Sequence, residues 1–348
     1  MILFRSELGE REFSEIAAMV VRALRCNSSR AGCTVAGWES QVERDPAGAA
    51  RLRGRPAVAK VTGPLGPRRG IGDALKKLRE DRGKSLNDVA GDLMMSTSKL
   101  SRLENAQGRP LPRDIRDLIA YYQIQGTALA ASLERWARDA GRRGWWTDYD
   151  DEVTEGLDTH LAYEVDAAVE RVYTLPFLPA LLQTPDYARV VFRDMEGRSP
   201  EQTRQLLEVR ERRQEALGRR EGPGQFRLIA VTHESTLHQM VGSAGIMREQ
   251  LGRLAEHSAA PNVSLHVLPF TARPTFSMTC MYALFEYREA GESDIVSVEN
   301  HAGYFSVDEP ERVARYRSAH DALVRASLSE EASLELILQI RDSPRGNG

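Results

Sequence analysis

The chain has 348 residues, a formal net charge of −3 and 41% hydrophobic residues. This length suits two or three domains with buried cores, and the small net charge excludes a uniformly basic protein that coats nucleic acid. The sequence has no apolar run long enough to span a membrane. Three cysteines provide no disulfide framework, so we expect a reducing, cytoplasmic setting.

Residues 1–67 have little capacity to form a core, because much of this segment is rich in Arg, Gly, Ala and Pro. Two interpretations stay open. One is a disordered basic arm that touches DNA phosphates. The other, which we favour, is translated sequence upstream of a true start near Val58, near Val61 or slightly later. A short disordered tail is also expected at 342–348.

Residues 68–124 are predicted to form a helix-turn-helix domain. The apolar residues of a first helix, predicted over Gly72–Asp81, recur at helical spacing at Ile71, Leu75 and Leu78. Gly83 suits a left-handed position at the end of this helix. Ser85 and Ser96 are predicted to cap the second and third helices.

The charge of the chain is unevenly distributed. Between Arg68 and Tyr122 there are 12 Lys and Arg against 8 Asp and Glu, a net charge of +4 that leaves −7 for the rest. A basic module attached to an acidic body is typical of a regulator that binds phosphate with one small domain.

The third helix carries short polar and basic side chains near its N-terminus, which is the end that enters a major groove. The predicted base contacts are Thr97, Ser98, Lys99, Ser101 and Arg102. A second set of residues lies around this helix or at the N-termini of helices, where backbone amides and basic side chains contact phosphates. The predicted phosphate contacts are Lys76, Lys77, Ser85, Ser96, Arg109 and Arg113.

The segments LKKLREDRGKSLNDVA, STSKLSRLENAQGRP and DIRDLIAYYQI resemble the lambda-repressor-like, xenobiotic-response-element family of helix-turn-helix regulators. The resemblance implies double-stranded DNA as a partner. It also implies a structural ion pair between Arg79 and Glu104 that fixes geometry more than it adds stability. Lys84 departs from the family pattern, in which a hydrophobic residue is more usual before the second helix.

Behind this domain we expect a linker helix within 125–144 and a mixed α+β domain over 145–341. Its strands are predicted at Phe226–Val231, Val263–Val267, Tyr282–Glu286 and Ile295–Val298. Its helices are predicted at Glu201–Leu217, Pro310–Arg325 and Ser329–Ile340. The overall fold class is therefore α+β, with an all-α head.

The segments LPFLPALLQTPDYARVVFRD, VRERRQ, PNVSLHVLPF and VENHAGYFSVDEPERVARYRSAHDAL resemble the C-terminal domain of actinomycete regulators related to WhiJ. Members of that set are often encoded beside a small partner protein, and some are treated as antitoxin-like. The resemblance therefore implies a possible small protein partner encoded nearby. Composition and spacing do not indicate that partner independently.

Enzymatic interpretations find little support in the sequence. The segment VTHESTLH places His233 and His238 five residues apart, whereas a zinc-protease helix needs four, so we expect neither a metal site nor a catalytic site. We expect no cofactor. Trp145, Trp146 and Tyr149 are interpreted as interdomain packing in preference to a ligand pocket. The apolar segment Leu175–Leu182 is predicted to be a buried loop, with a ligand or partner surface as the alternative.

Two functional hypotheses follow. The first is a DNA-binding transcription regulator that acts as a homodimer, places residues 96–104 in the major groove and is controlled through its C-terminal domain. The second is an antitoxin-like protein that binds a small partner and autoregulates its operon.

Overall fold

The structure is a computed structural model that describes residues 61–149, 152–153, 156–219, 222, 225–273, 275, 278–288, 293–300 and 303–343. Most of the predicted N-terminal tail and residues 344–348 lie outside the described residues. Residues 61–67, however, were wrongly assigned to the tail. The Val61 amide donates to the Asp158 carboxylate at 2.7 Å, and Leu65 is buried in the core of the C-terminal domain.

The N-terminal head contains five helices. They are α1 (Gly66–Glu80), α2 (Leu86–Asp92), α3 (Thr97–Glu104), α4 (Pro112–Tyr121) and α5 (Ala128–Asp139). Helix α1 begins six residues before the predicted start, because Pro67 suits the first helical turn. Gly83 adopts the predicted left-handed conformation, with φ of 60°. Ser85 and Ser96 are the N-caps of α2 and α3.

The predicted linker helix is instead part of the head. Helix α5 buries Leu133, Trp136 and Ala137 in the same apolar cluster as α1 and α4. The Trp136 side chain is almost fully inaccessible, and its ring lies against the backbone of α1 at Gly70. Burial of apolar surface stabilises the fold by about 25 cal/mol for each Å². A side chain as large as that of tryptophan therefore contributes several kcal/mol to the free energy of unfolding, to an order of magnitude. The head therefore extends to about Asp139, since its core is incomplete without α5.

Helices α1 and α3 approach each other closely at Gly72. A Cβ atom built on Gly72 would lie 2.6 Å from the carbonyl oxygen of Glu104 and 3.0 Å from that of Leu103. Glycine inside a helix costs about 1 kcal/mol relative to alanine. The close backbone contact explains why this cost is tolerated, and it sets the position of α3 on α1.

The described part of the C-terminal domain contains one mixed six-stranded sheet. In chain order its strands are β1 (Val169–Thr174), β2 (Arg227–His233), β3 (Val263–Leu268), β4 (Tyr282–Glu286), β5 (Ile295–Asn300) and β6 (Gly303–Val307). Their order in the sheet is β3-β2-β1-β4-β5-β6. The pairs β1–β2 and β2–β3 are parallel, whereas β1–β4, β4–β5 and β5–β6 are antiparallel. The expectation of an α+β fold is confirmed.

Helices cover both faces of this sheet. The helices are α6 (Leu157–Glu164), α7 (Pro185–Val190), α8 (Pro200–Gln214), α9 (Glu234–His238), α10 (Ala244–Ser258), α11 (Pro310–Ala326) and α12 (Glu330–Asp342). The first face carries Val172 and Ala283 and shares a core with α6, α10 and α12. The second face carries Tyr173 and Tyr282 and packs on α11. Neighbouring residues of one strand enter opposite cores, as the two-residue period of a strand requires.

The sequence analysis missed β1 and β6. Strand β1, with the sequence VERVYT, carries charged residues at Glu170 and Arg171, so its pattern does not indicate a central strand. Strand β6 lies at the edge of the sheet and is only partly buried. The four predicted strands are present with small changes at their ends. Segment Leu175–Leu182 forms a loop with a short 3-10 turn and buries Leu178, Leu181 and Leu182.

The contact at Gly72 yields a test of the head's packing. We expect Gly72→Ala to lower the free energy of unfolding by about 1–3 kcal/mol, because overpacking forces α1 and α3 apart. The matched control is Gly91→Ala in α2, where a Cβ meets no other atom within 4 Å. That change should raise stability by about 0.5–1 kcal/mol. Urea unfolding of both variants checks this, and equal effects would refute the assigned contact.

Candidate nucleic-acid interface and the charged cluster of the C-terminal domain

Helix α3, the predicted recognition helix, is amphipathic. Leu100 and Leu103 are buried against the rest of the head, whereas Ser98 and Arg102 are exposed one turn apart. No side-chain hydrogen bond or ion pair of Arg102 is found within the part of the chain that the structure describes. Its five N–H donors therefore remain available for an acceptor such as guanine O6 and N7. The position of α3 thus leaves a polar face with one unengaged guanidinium.

Two of the predicted base-contact residues have partners inside the head. Thr97 donates from its hydroxyl to Asn87 Oδ1 on α2 at 2.9 Å. The Lys99 ammonium donates to Asp114 Oδ1 on α4 at 2.8 Å. Asp114 is buried, so this ion pair holds Lys99 towards α4 and does not favour its predicted contact with a base. Direct contact of either residue with DNA stays a prediction.

Sequence reasoning missed two residues beside this face. Asn87 links α2 to the start of α3 through Thr97. Asn105 follows α3 and donates to the Ser101 carbonyl at 2.8 Å. Their amide side chains have donors and acceptors that suit adenine. The sequence places Asn87 on the polar side of α2 and gives no other signal for these two residues. The partner of Asn87, Thr97, lies ten residues later, and only the tertiary structure brings the two side chains into contact.

The predicted phosphate contacts differ in their surroundings. Lys76, Lys77 and Arg113 are exposed. Arg109 donates instead to the Gly141 carbonyl at 3.0 Å, just beyond α5, so its guanidinium is held at that loop. At Ser96 the hydroxyl accepts from the Lys99 amide at 3.2 Å, as expected for an N-cap.

The start of α2 is a poor anion site. The Asp88 carboxylate accepts from the Ser85 amide at 2.8 Å, while the Ser85 hydroxyl accepts from the Asp88 amide at 3.2 Å. Hydrogen bonds from Ser85 lower the pKa of the Asp88 carboxyl, which stays ionised. A carboxylate therefore already occupies this helix N-terminus and repels phosphate. The predicted phosphate contact of Ser85 is not favoured by this geometry.

Arg79 and Glu104 form a bidentate ion pair, with Nε–Oε1 and Nη2–Oε2 distances of 2.7 Å. The Glu104 side chain is 4% exposed and that of Arg79 13% exposed. A hydrogen bond from Arg79 also reaches the Lys84 carbonyl at 3.1 Å. The pair therefore joins α1, the end of α3 and the turn before α2. It is the pair that the family resemblance implied.

The head contacts the C-terminal domain through the N-terminal half of α1 and the segment before it. Leu65 donates its amide to the Ala162 carbonyl at 3.2 Å, and Arg69 pairs with Asp308 at 3.1 Å. The Ser293 hydroxyl donates to the Asp73 carboxylate at 2.6 Å. A Cβ on Gly66 would lie 3.2 Å from the Tyr287 ring. Helix α1 therefore touches both the recognition helix and the C-terminal domain.

The tryptophan pair contributes to this packing. Trp146 is 1% exposed and donates from Nε1 to the Val61 carbonyl at 2.8 Å. Trp145 lies edge-on to Trp146 and to Tyr149, with the guanidinium of Arg212 over its ring at 5.7 Å. These residues pack in the core of the C-terminal domain, so the interdomain packing interpretation stays a prediction.

A cluster of buried charges lies on the first face of the sheet. Arg213 on α8 contacts both carboxylate oxygens of Glu164 on α6, with Nη2–Oε2 at 2.7 Å. The His160 ring lies 3.1 Å from Arg213 through Nε2 and 3.0 Å from Ser297 Oγ through Nδ1. Burial alone would raise the pKa of Glu164, but Arg213 and His160 lower it below its usual range. This pair ties α6 to α8 above the sheet.

Glu170 on β1 is a second buried carboxyl on this face, and it lacks such a partner. It is 3% exposed, and Oε2 has no hydrogen-bond partner among the described residues. Burial, together with the nearby Glu164 charge, raises the pKa of Glu170 to about 8. Glu170 is therefore mainly protonated at neutral pH.

Within the described part of the chain, acidic, histidine and cysteine side chains form no cluster suited to a metal ion. None of the helices described is long and apolar enough to cross a bilayer.

The raised pKa of Glu170 predicts how stability depends on pH. The folded chain retains a proton that the unfolded chain releases above its ordinary pKa of 4.5, so this group stabilises less as pH rises towards 8. We expect Glu170→Gln to remove that loss. The variant should exceed the native chain in stability at pH 8 by roughly 1–4 kcal/mol, since a tenfold change in proton affinity corresponds to about 1.4 kcal/mol.

Urea unfolding between pH 5 and 8 measures this difference, which should shrink towards pH 5. Glu249→Gln on the exposed face of α10 is the matched control and should show no such trend. A constant difference across this range would contradict the assigned protonation of Glu170.

Comparison with known families assigns both parts of the chain. Residues 71–132 match a helix-turn-helix domain, a DNA-binding module of transcription regulators. Residues 157–339, just over half of the chain, match a domain of unknown function, DUF5753. Neither curated proteins nor solved structures gave a match. Because DUF5753 has no assigned function, the antitoxin-like resemblance stays a prediction. The chain belongs to the DUF5753 family and carries a helix-turn-helix domain in front of it.

Proposed function

We propose that this protein is a sequence-specific DNA-binding regulator whose α3 enters the major groove. The observation that carries the proposal is the exposed polar face of α3, where Arg102 and Ser98 lie side by side and the Arg102 guanidinium has no partner among the described residues. Leu100, Leu103 and the Arg79–Glu104 pair fix the helix from behind. A rigid helix with one polar face is the arrangement that reads base edges.

We infer further that the protein binds DNA as a homodimer. A single α3 of eight residues reaches only a few base pairs, so affinity for one site needs a second copy. Selection from a random DNA library with the full chain should therefore recover paired half-sites. Their centres should be separated by about one helical turn, roughly 34–36 Å, or by multiples of it.

The test of α3 uses the selected DNA in fluorescence anisotropy at fixed salt. We expect Arg102→Ala to weaken binding about 10–100-fold, since a bidentate contact to guanine contributes about 1–3 kcal/mol. Discrimination between the selected site and a scrambled site should fall by a similar factor. Lys99→Ala should weaken binding less, because Lys99 is paired with Asp114.

Arg315→Ala on α11 is the matched control, because it removes the same charge from an exposed position of the C-terminal domain. Lys76→Ala and Lys77→Ala separate phosphate contacts from base contacts. Each should reduce the salt slope by about one without changing site preference. If the double variant with Lys99→Ala and Arg102→Ala keeps full discrimination, the recognition-helix assignment is wrong.

Control of the head through the C-terminal domain is the second part of the proposal. The Arg69–Asp308 pair and the Asp73–Ser293 hydrogen bond reach the C-terminal domain from the same helix that carries Gly72. A shift of α1 relative to the domain therefore moves α3, because Gly72 lies against the end of α3. The Leu65 amide extends this route to α6.

Coupling between two sites is reciprocal, so DNA binding must also alter the C-terminal domain if that domain controls DNA binding. We expect saturation with the selected DNA to change amide hydrogen exchange in α6 and in segment 293–300, besides α3. The scrambled DNA at equal concentration is the control. Changes confined to the head would rule out control through these contacts.

A further inference from the structure

The first face of the sheet borders a cavity of about 280 Å³. Its floor is formed by one side of three adjacent strands, where Val172, Ala283 and Ser297 face each other in register. The Leu175–Leu182 loop, the start of the segment after α7, and α8 also line it. This volume suits a ligand of roughly ten non-hydrogen atoms.

The cavity contains polar groups that the fold leaves unsatisfied. Glu170 and Thr174 point to the same side of β1 as Val172, and both line the cavity. Glu170 Oε2 and Thr174 Oγ1 are buried atoms without a hydrogen-bond partner among the described residues. A buried carboxyl oxygen without a partner costs about 1–3 kcal/mol or more unless a bound molecule satisfies it. These atoms therefore indicate where a ligand is held.

The charged side chains around the cavity determine which ligand charge it favours. Two of the lining guanidiniums have carboxylate partners: Arg213 contacts Glu164, and Arg198 contacts Glu196 at 3.2 Å. The third lining guanidinium, Arg210, donates to Gln183 Oε1 and lies over the Phe192 ring at 4.8 Å. The lining carboxyl groups that remain are Glu152, Glu170 and Glu299. Carboxyl groups of the lining therefore outnumber its one remaining guanidinium.

Six apolar side chains, here called the apolar wall, also line the cavity: Leu157, Phe177, Leu178, Val191, Leu206 and Val209. An apolar wall with a few placed polar groups is the usual form of a small-molecule site.

We propose that this cavity binds a small organic cation, a protonated amine on an apolar body, and that the amine pairs with the Glu170 carboxylate while the body lies against the apolar wall. The proposal does not depend on DNA binding, since the ligand is detected without DNA. It assigns a binding site to the domain whose function is unknown.

Pairing with an amine stabilises the ionised form of Glu170, so a proton leaves the carboxyl on binding. The groups that face Glu170 across this region include His160 and Glu164 from α6, Arg210 and Arg213 from α8, Glu299 from β5 and Tyr304 from β6. The pKa of Glu170 in the empty cavity is about 8. We therefore expect affinity for the amine to rise between pH 6 and pH 8, with release of about one proton per amine bound at pH 6–7.

The test uses three probes of similar shape on the full chain. They are 2-phenylethylamine, the neutral 2-phenylethanol and the anionic 3-phenylpropanoate. Isothermal titration at pH 8, with concentrations into the millimolar range, should show the amine binding at least about tenfold more tightly than the alcohol. Titrations at pH 6.5 in two buffers of different ionisation enthalpy measure the released proton.

Two variants locate the site. Glu170→Gln keeps the shape of the protonated carboxyl and should abolish the preference for the amine over the alcohol. Ala283→Leu fills the floor of the cavity without changing a charge and should weaken binding of every probe. Glu249→Gln, exposed on α10, should bind as the native chain does.

Equal or tighter binding of the alcohol or of 3-phenylpropanoate would overturn the proposal, as would saturable binding of none of the probes. An amine preference that persists in Glu170→Gln would overturn the role of Glu170. If either variant fails to fold, the proton release measured on the native chain at pH 6.5 still tests the proposal. Binding of the amine without proton release at pH 6.5 contradicts the proposed pairing.

Discussion

The close contact between α1 and α3 at Gly72 is the constraint on which the head depends. Since no Cβ fits there, the backbone of α3 contacts the backbone of α1 directly. The Arg79–Glu104 pair then fixes the end of the same helix against the same neighbour. Breaking such a pair leaves a buried carboxylate without compensation, which is more costly than the pair is stabilising. The position of α3 is therefore narrowly defined.

Helix α1 has a second role because its N-terminal half contacts the C-terminal domain. Arg69 and Asp73 lie within two turns of the helix from Gly66, whose backbone meets Tyr287. Helix α1 is thereby the element that contacts both the C-terminal domain and α3. This arrangement is the physical basis of the proposed control of DNA binding through the C-terminal domain.

The two buried carboxyl groups on the first face of the sheet differ in whether they have a hydrogen-bond partner. Arg213 satisfies Glu164 between two helices, so this pair stabilises the layer above the sheet only as long as both partners remain. Glu170 lies on the same face of the sheet with an oxygen that has no partner among the described residues. Native folds rarely leave such a group in the core, and those that remain often have a functional explanation. Packing alone does not explain this unsatisfied carboxyl oxygen.

The head could be predicted from the sequence in most respects because its signals are local. Caps at Ser85 and Ser96 depend on residues three positions apart, and Gly83 depends only on its own backbone conformation. The limits of the head could not be predicted in the same way. Helix α5 has the pattern of a linker helix, yet Trp136 completes the core through contacts more than sixty residues away along the chain.

The sequence by itself determined the two-part organisation, the polar face of α3 and four of the strands in the C-terminal domain, because each depends on periodicity or short spacing. Tertiary structure alone decided which polar side chains are engaged. Lys99 is directed to Asp114, and Arg102 is left with its donors unengaged within the described residues. Tertiary structure also placed Glu170 in a cavity. The sequence does not predict this position, because the charged residues of β1 obscure the pattern of a central strand. Burial and partners arise from contacts distant in sequence, which no local pattern records.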